Sequence, residues 1–235
     1  MSSPGRSVDT VLAAVSRREC EASSNSHFCR SASGTATPTD RCGPAYAAAR
    51  VADVSPELAL LGERLLPDAR VLDVGCGAGV PVTAALARTA RVVGVDISAK
   101  QIALARSNVP AAEFIHGDIM ARCFDDASFD AAVAFYVIFH LPRDEQLELL
   151  RRLHRWLRPR GHLLATLPRS AHPGRTEPDF FGVTMYWSHF AMAWYAERLQ
   201  EMEFEILHLG VVGHGVRNVA GLPPERHPVV LARRS

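Results

Sequence analysis

The sequence lacks most of the features that place a protein at a glance. Of its 235 residues, 26 are Lys or Arg and 25 are Asp or Glu. With no excess of either sign, charge gives no reason to expect nucleic acid or a membrane surface as a partner. Long apolar runs are missing: Ala131 to Leu141 is the longest, too short to cross a bilayer, and reads as a buried strand with its exit loop. The N-terminus has no continuous apolar stretch of the secretory kind. It carries Arg and Ser but also acids, which argues against a transit peptide. Cysteine is sparse. Cys20, Cys29, Cys42, Cys76 and Cys123 form no CxxC pair and no zinc spacing, and an odd, scattered set is expected to be reduced thiols in a cytoplasm. No cluster of His, Cys and Asp suggests a metal. No internal repeat is visible.

What is present divides into two parts. Residues 1–40 contain Ser23-Ser24-Asn25-Ser26 and the small, polar, aperiodic run Ser31 to Thr39. Such a segment buries too little apolar surface to offset its ordering entropy, so a disordered tail is expected, with a short helix at Val8 to Val15. Residues 41–235 read as one domain. Apolar strand-like runs alternate with helical stretches, the pattern of βαβ units in a parallel sheet. The strand candidates are Arg70–Val74, Arg91–Val95, Glu113–Ile115, Phe129–Ala134 and His162–Leu167, then Phe204–Leu209 and Pro228–Ala232. Ser98 followed by Gln101 is a capping-box pattern opening a helix through Arg106. Asp144 to Leu157 places Leu147, Leu150, Leu153 and Trp156/Leu157 on one stripe, an amphipathic helix packing on a sheet. It is expected to stop before the Arg158-Pro159-Arg160-Gly161 turn. The last two strands are joined by a loop, Gly213 to His227, with no room for a crossover helix, so they should pair antiparallel.

The strongest chemical signal is Val71-Leu72-Asp73-Val74-Gly75-Cys76-Gly77-Ala78-Gly79, a buried strand running into a glycine-rich turn ahead of a helix. Alternate glycines let the backbone adopt positive φ and approach a ligand closely. Asp73, two residues before the first glycine, opposes a phosphate but can organise the loop and attract an ammonium. A ligand joining an amino acid tail to a nucleoside fits this better than a dinucleotide. The second signal is Val92-Val93-Gly94-Val95-Asp96, where the carboxylate is placed to accept from both ribose hydroxyls. The third is Ile115-His116-Gly117-Asp118-Ile119. Asp118 can accept from an adenine amino group, and Ile97 and Ile119 can sandwich the ring. All of these lie at the carboxyl ends of parallel strands, where open α/β sheets bind ligands.

Together these residues resemble the class I S-adenosylmethionine-dependent methyltransferase family. Its motifs occur in order: VLDVGCGAG, the acidic VGVD, the GD after the third strand, SFDAAVAFYVIFHLP and LRPRGHLLATL. The resemblance covers about Tyr46 to the C-terminus. It implies a Rossmann-like, doubly wound α/β fold whose seven-stranded sheet is mostly parallel with the last strand antiparallel. S-adenosyl-L-methionine is then the expected cofactor. Gly75, Gly77 and Gly79 would line its methionine part, with Asp73 and Cys76 in the same loop. Asp96 would serve the ribose, Asp118 and Ile119 the adenine, with Ile97 and Gln101 as further cofactor-binding candidates. Phe135 would contribute backbone near the methionine, and Tyr46 resembles a family tyrosine that closes over the cofactor. The run AVAFYVIFHLPRDEQ with MYWSHF later looks most like small bacterial methyltransferases of small molecules and natural products, acting by in-line displacement on an O, N or C nucleophile. Three positions depart from the family pattern: Arg160 and Glu203 stand where glycine is usual, and Ala191 where a helix-capping polar residue is common.

Several readings stay open on the sequence. The glycine loop by itself is compatible with an ordinary strand–helix turn or with a nicotinamide or flavin site. His140, after the fourth strand, is a candidate general base or a residue that bonds loop backbone. Tyr136 either lines the acceptor pocket or packs. An insertion at about 168–203 is expected to cover the acceptor. Its Phe180, Phe181, Tyr186 and Trp187 would favour an apolar or aromatic small molecule, or else form a core cluster; His189 lies in the same stretch. Arg151, Arg152 and Arg155 read as a solvated helix face. After the fourth strand Ala134-Phe135-Tyr136-Val137 replaces the (Asp/Asn)-Pro-Pro-aromatic motif of amino-methylating nucleic-acid enzymes, so no nucleic-acid partner is expected. A non-methylating reaction on the same fold and a non-catalytic binding role remain alternatives.

Overall fold

In the computed structural model, residues 40–41, 55–212 and 226–235 are described. Of the expected 1–40 tail, residues 1–39 with the Val8 to Val15 helix lie outside them, as do Tyr46 and most of the loop after Gly213. The short buried runs become strands because their β-branched residues fill both faces of a sheet. They are β1 (Arg70–Val74), β2 (Arg91–Asp96), β3 (Glu113–His116), β4 (Phe129–Ala134), β5 (Leu157–Thr166), β8 (Phe204–Val212) and β9 (His227–Arg234). Their order in the sheet is β3-β2-β1-β4-β5-β9-β8. Strands β1 to β5 pair parallel, and β9 is antiparallel to both neighbours, the expected late pairing.

Alternate residues feed two cores. Leu72, Val74, Ala132 and Ala134 join one cluster, which takes in α4 (Arg143–Trp156) and α5 (Met192–Glu201). Val71, Ala131 and Val133 join the other, with Leu58 and Leu61 of α1 (Ser55–Gly62) and Leu86 of α2 (Val82–Leu86). Helix α3 (Ala99–Asn108) packs Ile102 and Ala105 beside Phe114. Strand order reverses between β1 and β4, so the crevice at their carboxyl ends is where such a sheet takes a ligand.

Three local expectations are revised. The buried stripe of α4 runs through Gln146, Leu149, Leu150, Leu153 and Trp156 and leaves Leu147 half-buried; the polar Gln146 and Arg152 are accommodated inside by hydrogen bonds. The helix stops before Arg158 as expected, but the Arg158–Gly161 segment is a bulge within β5 and not a turn ahead of it: Phe129 pairs with Leu157 and Ala131 with His162, and the Arg158–Asp130 ion pair clasps the bulge. Cys76 is a buried free thiol, but Cys123 is disulfide-bonded, against the expectation of reduced thiols.

The departures from the family pattern carry a backbone cost. Arg160 (φ +66°) and Glu203 (φ +62°) both adopt the left-handed conformation that glycine tolerates best, at about 1 kcal/mol each. Helix α5 starts after Ala191, which makes no side-chain cap bond.

The insertion forms an element the sequence did not reveal as strands. A two-stranded antiparallel hairpin, β6 (His172–Phe180) and β7 (Val183–His189), stands apart from the main sheet.

Candidate active site

The glycine loop is closed on itself. Gly75, Gly77 and Gly79 all have positive φ (+69°, +54° and +77°), which explains their alternate spacing. Their amides turn inward: Gly75 N and Cys76 N both donate to Val95 O (2.8 and 3.1 Å), and Gly79 N donates to Cys76 O (3.0 Å). Gly77 N donates to Asp96 Oδ2 (2.9 Å). The following α2 is only five residues long and has Pro81, with no N–H, at its N-cap. These amides are therefore committed to protein acceptors, whereas a dinucleotide loop offers such groups to a pyrophosphate. A Cβ on Gly75 would lie 2.6 Å from Val137 Cγ2, whereas one on Gly77 would meet nothing within 4 Å. The loop is thus packed on the β4 exit at Gly75 and open at Gly77.

The carboxylates hold this loop in place. Asp73 is buried and accepts from Thr83 Oγ1 (2.5 Å), tying β1 to α2 across the loop. Asp96 accepts from Gly77 N and, through Oδ1, from Ser98 N (2.8 Å). A carboxylate has roughly four acceptor positions, so acceptor capacity remains for hydroxyl donors. Burial raises the Asp96 pKa above its ordinary 3.8, while the Ser98 and Gly77 N–H groups pull it back. Cys76 turns its side chain inward against Gly94 (2.9 Å from a Cβ there). Burial, with Asp73 and Asp96 nearby, pushes its thiol far up. Only the Cys76 backbone faces the loop's chemistry.

Around the β2 and β3 ends, Ser98 caps α3, its Oγ accepting from Gln101 N (3.1 Å). The Gln101 side chain does not close the capping box, because Asp96 already accepts from Ser98 N. Instead Gln101 Oε1 is buried with no partner. Asp40 is buried on this helix end and accepts from Ser98 Oγ (2.6 Å) and Lys100 N (3.2 Å), a role the sequence did not suggest. Asp118 caps a 3-10 turn, accepting from Met120 N (2.8 Å), and Ile119 is buried in it; Ile97 is half-buried. These observations fit an adenosine: an open glycine face, a buried carboxylate with acceptor capacity and an orphaned amide oxygen at adjoining strand ends.

The β4 exit builds the other side. Phe135 and Tyr136 are buried, and Tyr136 is held at φ +57° with its N–H on Thr166 Oγ1 (2.6 Å). A 3-10 turn at Ile138–His140 follows. His140 Nδ1 lies 3.3 Å from Tyr186 O. A carbonyl only accepts, so this contact puts the proton on Nδ1. The hairpin docks on this turn. Gln146 Nε2 donates to Leu141 O and Ser188 O (2.7 Å each), Tyr195 donates to Gln146 Oε1 (2.5 Å), and Arg143 Nε donates to His189 O (3.0 Å). Burial pushes the Tyr195 phenol up to about 12, keeping it a donor.

Of the sequence candidates, Asp73, Gly75, Cys76, Gly77, Gly79, Asp96, Ile97, Gln101, Asp118, Ile119, Phe135, Tyr136 and His140 all fall at this edge of the sheet, and Tyr46 lies outside the described residues. Trp187 meets His140 at 4.3 Å between ring centroids. His189 instead sits at the hairpin base on Ser170 O (2.6 Å). His227, which sequence reasoning missed, stacks on Phe139 and meets Tyr136 edge-on. Its only signal was its place at the start of an antiparallel last strand, which opens at the edge where the parallel strands end. Among the described residues no group of three or more His, Cys, Asp or Glu is arranged to hold a metal, and no helix is long and apolar enough to cross a membrane.

Residues 71–161 match the family model described as a methyltransferase domain. With the loop, the acidic strand ends and the sheet order, this part of the chain is similar to a methyltransferase domain. Among curated proteins, the 27-O-demethylrifamycin SV methyltransferase of Amycolatopsis mediterranei is 36% identical over 101 residues, 40% of this chain and 36% of that protein. The chain spans well under half the length of the first curated relatives it matches. Two solved structures share the fold. One is the Burkholderia thailandensis 1,6-didemethyltoxoflavin-N1-methyltransferase with bound 1,6-didemethyltoxoflavin and S-adenosylhomocysteine (TM-score 0.62, 22% identity, 100% of this chain and 93% of that one). The other is the [4+2]-cyclase SpnF (TM-score 0.64, 20% identity, 83% of this chain and 93% of that one).

Proposed function

We propose that the protein transfers a methyl group from S-adenosylmethionine to an O, N or C nucleophile of a small molecule. The observation that carries this reading is the inward-turned glycine loop clamped by Asp96: it leaves no amide cradle for a pyrophosphate but keeps a buried carboxylate beside an open glycine. When bound, S-adenosylmethionine supplies a methyl group on a sulfonium, already activated for displacement. The protein's own work is then alignment and exclusion of water. In this proposal Gly75, Gly77, Gly79 and the Cys76 backbone hold the methionine part. Asp73 attracts its ammonium, Asp96 takes the ribose hydroxyls, and Gln101, Ile97, Asp118 and Ile119 surround the adenosine. Phe135 backbone closes the methionine end, and Tyr46 covers the cofactor. His140, whose Nδ1 contact with Tyr186 O fixes the tautomer, is the base when the acceptor must lose a proton; Tyr136 shapes the acceptor side.

The relatives' acceptors support a small molecule rather than nucleic acid. We place the protein in the cytoplasm with its cofactor; the Cys123 disulfide is the observation against that placement, and thiol titration of protein from intact cells tests it. A second reading, a rearrangement on the same fold, is favoured by the likeness to a cyclase. Incubation with methyl-deuterated S-adenosylmethionine and a small-molecule extract separates the two. A product heavier by one labelled methyl group supports transfer; a product of unchanged mass, with cofactor retained, replaces it by the rearrangement.

A further inference from the structure

One polar atom on the acceptor side has no protein partner. Trp187 Nε1 is buried and makes no hydrogen bond. A buried donor without an acceptor costs roughly 1–3 kcal/mol, which is why buried indoles ordinarily find one. Tertiary packing fixes this indole closely. Its ring stacks on Phe139 (centroids 5.6 Å, planes 29° apart), leans on His140 (4.3 Å) and takes Phe180 edge-on (5.3 Å). On Phe139 the His227 ring also lies flat (5.2 Å, 16°). Trp187 and His227 therefore both stack on Phe139, tilted from it by 29° and 16°. The turn that carries Phe139 and His140 begins beside Val137, which packs on Gly75 of the glycine loop, so this run of rings adjoins the cofactor side of the cleft.

Building on the methyltransferase reading, we propose that Trp187 Nε1–H is a specificity donor for the methyl acceptor. The acceptor class is then a planar aromatic or heteroaromatic molecule bearing an accepting oxygen or ring nitrogen. Such a molecule gains stacking area against rings that are already stacked, in the offset geometry aromatic pairs favour. Its accepting atom satisfies the indole and fixes the rotation of the ring in its own plane, which presents one edge to the transferring methyl group. An aliphatic or purely hydrocarbon acceptor leaves the donor unsatisfied, and sites built on a buried donor discriminate against such analogues. The recognition proposed is stacking plus one neutral hydrogen bond.

Quinoline and naphthalene test this, because they differ only by one ring nitrogen. Each is titrated calorimetrically into the protein saturated with S-adenosylhomocysteine. Quinoline is expected to bind at least ~5-fold tighter, the effect of one net hydrogen bond of about 1 kcal/mol. In Trp187→Phe that advantage should fall to near unity while S-adenosylhomocysteine binds as before. If Trp187→Phe also weakens S-adenosylhomocysteine, 3-benzothienylalanine at position 187 keeps the bicyclic shape and deletes the N–H alone. Equal affinity for the two probes, binding of neither, or an advantage that survives loss of the N–H overturns the proposal. Should S-adenosylhomocysteine itself fail to bind, the methyltransferase reading falls, and the same pair of probes titrated without it still decides the role of Trp187.

Discussion

On the β1–β2 side of the cleft the functional groups are tied down by hydrogen bonds: the glycine-loop amides, the Asp73 and Asp96 carboxylates and the Ser98 cap each have a fixed protein partner. On the hairpin side the groups are held by ring contacts, and the polar anchors (Gln146, Ser188, Tyr195, Arg143) lie at the base of the hairpin. A hydrogen-bonded loop has one arrangement, as suits a cofactor that does not change. A stacked aromatic surface can be altered ring by ring without disturbing that loop, as suits an acceptor that differs between relatives. The difference predicts that variants on the two sides separate cofactor binding from turnover.

The largest effect is expected at His140. If the acceptor must lose a proton, His140→Ala lowers kcat by about 10²- to 10⁴-fold with S-adenosylhomocysteine affinity unchanged. Full turnover on the true acceptor removes His140 as the base. Next is Asp96→Asn, which sets an amide N–H₂ against a backbone N–H and removes the charge. S-adenosylhomocysteine binding should weaken roughly 10- to 100-fold, in line with loss of a charge-assisted bond. Third is Gly75→Ala, whose Cβ meets Val137 at a positive φ. It should destabilise the fold by about 1–3 kcal/mol, read as a lower Tm, and adding Val137→Ala should restore only the part due to the clash.

The smallest effect is a pH dependence. Because burial raises the Asp96 pKa above 3.8, the carboxyl protonates earlier than an ordinary aspartate as pH falls. Protonation removes acceptor capacity, so cofactor affinity should decline on acidification before ordinary carboxylates titrate. The stability sign is opposite: a raised folded-state pKa means the proton favours the folded state, and the Asp96 contribution to stability is lost as pH rises through that pKa. A calorimetric pH series on wild type and Asp96→Asn measures both; an affinity that holds flat through this range contradicts the role of Asp96.

The two sides also differ in how far the sequence revealed them. Strands β1 to β4 and the loop were legible because each is a short apolar run ending in residues with one use, Gly75, Asp96 and Asp118. The antiparallel last pair followed from the length of a loop. The hairpin was not legible, because β6 (HPGRTEPDF) carries two prolines, a glycine and three charges. In β7 only Val183 and Met185, on either side of exposed Thr184, alternate in burial as a strand does. The Arg158–Gly161 bulge was hidden because Pro and Gly signal a turn equally well inside a strand and at its start. His227 was hidden because its one signal, a place at the start of the antiparallel last strand, names no partner; the sheet order brings it to Phe139.

The central claim is that the clamped glycine loop holds S-adenosylmethionine and not a dinucleotide. Calorimetric titration of the purified full chain with S-adenosylhomocysteine, and separately with NADH, tests it directly. The account predicts one-site binding of S-adenosylhomocysteine at micromolar affinity or better and no heat from NADH. Binding of NADH alone contradicts it and makes the protein a nucleotide-dependent reductase; binding of neither contradicts the cofactor assignment altogether.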